Sequence, residues 1–391
     1  MMNKIFKAAT LSAILATGAA AEVPQGPPNA NFEPAFENQT RAPQLPKTNV
    51  EVSNFAEGLE HPWGIARLPD GRYLVTERPG RLRLVGADGG VSGEIAGLPT
   101  VDNRGQGGLL DVALSHDFEN DQTVYWTYAK GVPGGTVTAA ARGVFSEGGE
   151  ILDARDIFVQ QPPSQNPMHY GSRIIPMPDG MVWITTGEHS VREDAVKAQD
   201  INITYGKVIR VTWDGLAPMD NPYVGENGDD AVWSYGHRNI QGAALDASGA
   251  LWTIEHGPRG GDELNKPEAA KNYGWPAISY GINYNGSPVG GGEAVAEGME
   301  QPVYYWDPVI APGGMVFYDG PFAPWQGDLI IASLRPGGLV RLELEDGRVV
   351  GEERLLTDVG RVRDVELLPD GSLLALLDAA DGGILRVTPT E

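Results

Sequence analysis

The sequence predicts an all-β chain whose internal repeats close into a six-bladed β-propeller. Two repeats and the composition carry that prediction. A turn followed by a short apolar strand occurs six times, and a glycine followed by alternating apolar and basic residues accompanies four of the copies. Glycine (52) and proline (30) are abundant in the 391 residues, which favours many short strands joined by turns over long helices.

The six copies run in order along the chain. Leu68-Pro69-Asp70-Gly71 leads into Tyr73–Thr76, and Ser115-His116-Asp117-Phe118 into Thr123–Trp126. Met177-Pro178-Asp179-Gly180 leads into Val182–Thr185, and Asp246-Ala247-Ser248-Gly249 into Leu251–Ile254. Trp325-Gln326-Gly327-Asp328 precedes Leu329–Ala332, and Leu368-Pro369-Asp370-Gly371 precedes Leu373–Leu376. The second repeat reads Gly80–Leu84, Gly206–Arg210, Gly338–Leu342 and Gly383–Val387. Its alternation predicts the following strand of each unit, with one face buried and the arginines directed to solvent. One four-stranded blade cannot cover both faces of its sheet, whereas a closed ring of blades covers all of them. Closure would pair a strand near Val50–Phe55 with one near Ile384–Val387. A two-layer sandwich is disfavoured, because such domains run near ~100 residues.

Two segments precede the repeats. Lys4 and Lys7, an apolar stretch from Ala8 to Ala16 and the small residues Ala19-Ala20-Ala21 read as a signal peptide over residues 1–21, cleaved after Ala21. The apolar part is too short to span a bilayer, so an exported, periplasmic protein without membrane insertion is expected. Residues 22–48 are rich in Pro, Asn, Gln and Glu and read as an arm that lies over the domain or stays disordered. The propeller is expected over 49–391.

The formal charge of −23, or −25 once Lys4 and Lys7 leave with the signal, excludes nucleic acid and anionic membrane surfaces as natural partners. The lack of cysteine excludes disulfides, thiolate metal sites and a cysteine nucleophile. There is no Gly-x-Ser-x-Gly elbow and no phosphate loop, and the six histidines lack the spacing of a zinc site.

The polar clusters that carry chemistry lie in loops flanking the repeated strands, where a propeller forms its axial funnel. Arg104–Leu110 is a glycine-rich turn containing Gln106. His169 stands in His169-Tyr170-Gly171-Ser172-Arg173; imidazole titrates near neutrality and can take a proton from an alcohol. Tyr235–Gly242 sets Arg238 beside Asn239, a guanidinium and an amide suited to a planar carbonyl or carboxylate. Glu255–Tyr284 offers carboxylates and Gly-Pro carbonyls, hard oxygen ligands for Ca²⁺. Ser333-Leu334-Arg335 and Arg361-Val362-Arg363 add arginines that suit a polyanionic ligand or surface salt bridges.

At these clusters the chain resembles the pyrroloquinoline-quinone (PQQ) sugar dehydrogenases: the soluble glucose dehydrogenases and, more closely, the periplasmic aldose sugar dehydrogenases. The resemblance runs from about Gly58 to the C-terminus. It is carried most specifically by Gly236-His237-Arg238-Asn239, His256-Gly257-Pro258, Gly261-Asp262-Glu263 and Asn272–Pro276. It implies a six-bladed propeller that oxidises the C1 hydroxyl of an aldose to the lactone, with an unidentified electron acceptor. It implies His169 as base and Arg238 as the residue on the quinone oxygen. It implies cofactor contacts from Gln106, Arg238, Asn239, Tyr284, Ser333, Arg335, Arg361 and Arg363. Gly257 and Pro258 match carbonyls that hold one Ca²⁺, and Glu263 and Tyr273 match a second, structural Ca²⁺ site. Met168 precedes His169 where the glucose enzymes carry aspartate, so an orienting carboxylate must come from elsewhere or be absent. His256 replaces their glutamine but agrees with the aldose branch, Arg335 replaces a lysine of both branches, and Val303 replaces a tyrosine of the glucose branch. A Ca²⁺-dependent propeller lactonase and a non-enzymatic binding propeller are the competing expectations.

Overall fold

The computed structural model describes residues 23–146 and 148–390; the predicted signal segment lies outside the described residues. Six four-stranded antiparallel sheets form six blades around one axis. Their innermost strands are Pro62–Arg67, Leu109–Leu114, Gly171–Pro176, Ile240–Leu245, Pro312–Phe317 and Val362–Leu367, each beside the next around the ring. We number the blades 1 to 6 in that order. The six repeated turn-strand segments are the second strand of every blade. Asn49–Leu59 closes the ring as the outermost strand of blade 6, antiparallel to Gly382–Thr390 with Val52 opposite Val387.

Hydrophobic surface is buried between blades. Leu74, Leu82 and Ile95 of blade 1 pack on Trp126, Phe145 and Ile151 of blade 2, and Trp252, Tyr304 and Trp306 of blade 4 pack on Ile331, Leu342 and Val349 of blade 5. Each large side chain so buried contributes about 1.5–3 kcal/mol. This packing corrects one expectation about the basic strand repeat. Arg341 does not reach solvent. It is 5% exposed and bonds Asp328 Oδ2 at 2.6 Å and Glu353 Oε2 at 2.8 Å. Lys207 is fully buried, with Nζ on the carbonyls of Ala198 (2.9 Å) and Tyr205 (2.6 Å). Neighbouring blades cover both faces of these sheets, so a basic residue on either face must find a fixed partner.

Every innermost strand slips register near its start, opposite the second strand. Such bulges re-aim side chains. In blades 1 to 3 a threonine on the second strand secures the bulge. Thr185 Oγ1 accepts the Arg173 N–H at 2.9 Å and donates to the Ile240 carbonyl of the next blade at 3.0 Å. Thr127 does the same for Asp111 and Ser172, and Thr76 for Gly64 and Leu110.

The bulges place an ion cluster on the axis. Arg173 bonds Asp111 at 2.8 Å, Asp364 at 3.1 Å and the Gln241 carbonyl at 2.7 Å, under the ring of Trp63. All five residues are buried. The cluster separates the end where the innermost strands begin from the end where they finish.

Residues 23–48 lie across blades 4 and 5. Gln39 Nε2 donates to the Pro302 carbonyl, Ala42 N–H to Tyr304 Oη, Leu45 N–H to the Glu352 carbonyl, and Thr48 Oγ1 to Glu353. No helix among the described residues is long and apolar enough to cross a membrane.

Candidate active site

The loops that enter the innermost strands carry Gln106, His169, Arg238, Asn239 and Arg361, while Ser333 and Arg363 lie in strands. His169 lies two residues before the strand of blade 3, at φ +44°, a left-handed conformation that a bulky residue adopts at a cost. Its N–H donates to Gln106 Oε1 (2.9 Å), and its ring Nδ1 lies 2.8 Å from Glu188 Oε1. Nε2 makes no hydrogen bond among the described residues. Burial first, then the Arg238 charge, holds the imidazole well below the usual histidine range. It is therefore neutral, with a lone pair to offer at Nε2 when Nδ1 carries the proton.

Glu188 is the orienting carboxylate that Met168 does not supply. It follows the second strand of blade 3, is 1% exposed, and accepts the Ser190 N–H on Oε2 at 2.6 Å. Burial pushes its carboxyl up to about 7, against the opposing pull of Arg238.

Arg238 is fixed from behind. Its N–H donates to Glu255 Oε2 at 2.5 Å, and its Nη1 donates to the carbonyls of His256 (2.8 Å) and Gly257 (2.9 Å). The guanidinium lies over the Trp275 ring, and its buried Nε has no partner among the described residues. His256 Nε2 meets the Pro312 carbonyl at 2.6 Å. Burial, then the charges of Arg363 and Arg238, pull its ring well below the usual range.

Arg361 and Arg363 converge on Asp378 Oδ2, both at 2.9 Å, while His61 Nδ1 takes Oδ1 at 2.8 Å. Arg363 is buried and also donates to Gln241 Oε1 at 2.7 Å; its Nε, like that of Arg238, is buried without a partner among the described residues. The Arg363–Asp378 pair is buried and is not a surface salt bridge, whereas Arg361 is exposed. Asn239 and Ser333 are buried and partly committed to the scaffold: Asn239 Oδ1 accepts the Gly171 N–H, and Ser333 Oγ donates to the Ile310 carbonyl. Tyr284 and Arg335 are exposed and stand on the rim. A cleft of about 610 Å³ opens here, lined among others by Glu188, Arg238, Pro258, Trp275 and Tyr284. A larger cavity of about 1040 Å³ at the far end of the axis holds none of the candidate residues.

A second group lies behind Arg238. Glu255 and Glu263 are opposite one another on neighbouring strands, and Asn265 Nδ2 reaches both, at 3.1 and 3.4 Å. Asn265 Oδ1 is buried without a partner among the described residues. Tyr273 stacks on His237 with ring centroids 4.6 Å apart, and His237 Nδ1 bonds Glu255 at 2.9 Å. The loop carrying Gly257 and Pro258 is tied down by Asp262, which takes the Gly257, Ile310 and Ala311 N–H groups at 2.7–2.8 Å.

The family model for glucose/sorbosone dehydrogenases matches residues 59–386. The chain belongs to that family. It is 42% identical over 350 residues to the aldose sugar dehydrogenase YliI of Escherichia coli K12, covering 87% of this chain and 93% of that one. Its fold matches the apo crystal structure of the soluble aldose sugar dehydrogenase of Escherichia coli at a TM-score of 0.84 and 39% identity, over 88% of this chain and all of that one. It matches the PQQ-bound aldose sugar dehydrogenase of Streptomyces coelicolor at 0.74 and 29%, again over 88% of this chain and 100% of the other.

Sequence reasoning missed Glu188 and Asp378. Both stand one or two residues past the second strand of their blade, and Glu77 and Glu255 are the last residues of theirs. A carboxylate at or just past the end of that strand recurs in four of the six units, and each one bonds a basic or histidine side chain. The recurrence is visible in the sequence once the strands are aligned.

Proposed function

We propose that the chain oxidises the C1 hydroxyl of aldose sugars to the lactone, using bound PQQ and Ca²⁺. The observation that carries this reading is the buried His169 imidazole, anchored at Nδ1 by Glu188 with no partner on Nε2 among the described residues, beside the buried Arg238 and Arg363. Nε2 takes the hydroxyl proton, and Glu188 stabilises the imidazolium that results. PQQ, when bound, supplies the two-electron acceptor for the C1 hydride, with Ca²⁺ as Lewis acid at the quinone carbonyl.

The residues present fit both groups. A flat tricarboxylate suits Arg238 and Arg363, whose buried Nε donors lack partners among the described residues. Arg238 would hold the quinone oxygen, a role for a preorganised donor where negative charge develops. Gln106, Asn239, Ser333, Arg361 and Arg363 would contact the cofactor from the loops around it, and Tyr284 and Arg335 from the rim. The Gly257 and Pro258 carbonyls would hold one Ca²⁺. Glu263 and Tyr273 would hold the second, where the unpartnered Asn265 Oδ1 and the facing Glu255 and Glu263 carboxylates provide hard oxygens. Export through the 1–21 segment to the periplasm belongs to the same proposal.

The test is direct. Apo-protein loaded with PQQ and Ca²⁺ should reduce an artificial dye when an aldose is added. Confirmed cofactor binding without dye reduction across a panel of aldoses would refute it.

A further inference from the structure

A second cleft of about 500 Å³ adjoins the one at the candidate site, shares Pro258 and Tyr284 with it, and lies between blades 4 and 5. Arg259, Arg335 and Arg354 line this annex, and among the described residues no carboxylate does. Arg354 is paired with Glu352 and Asp307 lies behind Asn29, so in a chain of charge −23 the surplus positive charge of the annex rests on Arg259 and Arg335.

The N-terminal arm forms one wall, through Pro24 to Gly26 and Asn29. It is pinned there. Asp307 takes the Asn29 N–H (2.8 Å), the Asn29 Nδ2 (2.6 Å) and the Ala30 N–H (2.9 Å), and Arg41 Nη2 holds the Gly26 carbonyl at 2.9 Å. Asn29 Oδ1 in turn accepts Arg259 Nε at 2.9 Å. Arg259 is thus oriented through Nε, and its terminal nitrogens make no hydrogen bond among the described residues. Arg335 is likewise exposed, and Arg354 is tethered to Glu352. The Gln25 amide oxygen, buried without a partner among the described residues, adds an acceptor for a hydroxyl. Oriented guanidiniums with free forks match phosphate and carboxylate oxygens.

We infer that the annex, walled by the N-terminal arm and Arg259, binds the phosphate or carboxylate of an anionic aldose whose C1 lies at His169. The inference rests on the dehydrogenase reading, and the reaction at C1 is the one proposed above. The annex adds discrimination by charge. The arm becomes part of the specificity apparatus.

The experiment compares glucose, glucose 6-phosphate and glucuronate as substrates of the loaded enzyme, in wild type, Arg259→Gln and Arg259→Lys. Titration calorimetry follows inorganic phosphate binding with and without PQQ. Loss of one charge-assisted contact should lower kcat/KM for the two anionic sugars about tenfold in Arg259→Gln, leave glucose unchanged, and be partly restored in Arg259→Lys. Phosphate should bind, compete with the anionic sugars, and leave PQQ in place. Repeating the assay with neutral and anionic dyes separates the sources: an Arg259→Gln effect that follows dye charge gives the anion site to the electron acceptor and overturns the sugar assignment. Equal losses for neutral and anionic sugars, or displacement of PQQ by phosphate, would also overturn it. If no sugar is oxidised yet phosphate binding is lost in Arg259→Gln, the dehydrogenase reading fails and the anion site stands. If glucose is oxidised and phosphate does not bind, the reverse holds.

Discussion

Replacing Glu188 by Gln probes the His169 pair most sharply. Glu188 Oε2 accepts the Ser190 N–H, so a proton taken up by this carboxyl sits on Oε1, facing His169 Nδ1. Above about pH 7, where burial has moved the titration, the carboxylate accepts Nδ1–H and Nε2 keeps its lone pair. Below it, the acid donates to Nδ1, the ring proton moves to Nε2, and the base is lost. His169 itself is held well below the usual range, so it does not produce this limb. With a midpoint of about 7, the competent fraction falls about tenfold between pH 8 and pH 6. In Glu188→Gln the Ser190 N–H still requires an oxygen, so the amide NH₂ turns to Nδ1 and fixes the wrong tautomer at every pH. Single-turnover reduction of bound quinone should slow by about 10²–10⁴-fold at pH 8 and lose its slope between pH 6 and 8. PQQ affinity, measured by calorimetry, should be unchanged. A variant within about threefold of wild type at pH 8, or one that keeps the slope, would refute the reasoning.

Other perturbations have equally definite outcomes. Arg363→Met removes a buried guanidinium with an unpartnered Nε and should weaken PQQ binding about 10–100-fold by calorimetry, with little change in the pH profile. Thr185→Val strands the Arg173 N–H and the Ile240 carbonyl and should cost about 1–3 kcal/mol in urea unfolding. Thr253→Val should cost less, since the Thr253 hydroxyl has no partner among the described residues. Adding Ca²⁺ should raise the Tm of chelator-treated protein, and Asn265→Ala, which removes the unpartnered Oδ1, should reduce that shift.

The fold was legible because its units are local. Each Pro-Asp-Gly or equivalent turn delivers a second strand, and the count of turns gives the count of blades. Closure was legible too, since Val52 and Val387 lie in flanking stretches with strand character. The basic strand repeat misled at Arg341, because alternation shows two faces of a strand but not that another blade covers the second one. At the site, His169 and Arg238 were legible through the motifs around them. Glu188 was not, because its partnership with His169 spans a β-hairpin of blade 3, and the recurring carboxylate to which it belongs emerges only once the second strands are aligned. From its composition the arm was expected to lie over the domain or stay disordered; its anchors on Asp307 and Glu353 are tertiary pairings more than 270 residues apart in sequence.

The central claim is that His169, poised by Glu188, takes the C1 hydroxyl proton while bound quinone is reduced. The most direct measurement is the absorption spectrum of protein loaded with PQQ and Ca²⁺, recorded anaerobically after one equivalent of aldose. Wild type should pass from the oxidised to the reduced quinone spectrum within the mixing experiment, and His169→Gln should bind PQQ equally yet stay oxidised on that timescale. Reduction of the variant at the wild-type rate, or a wild-type spectrum that aldose leaves unchanged, would contradict the account.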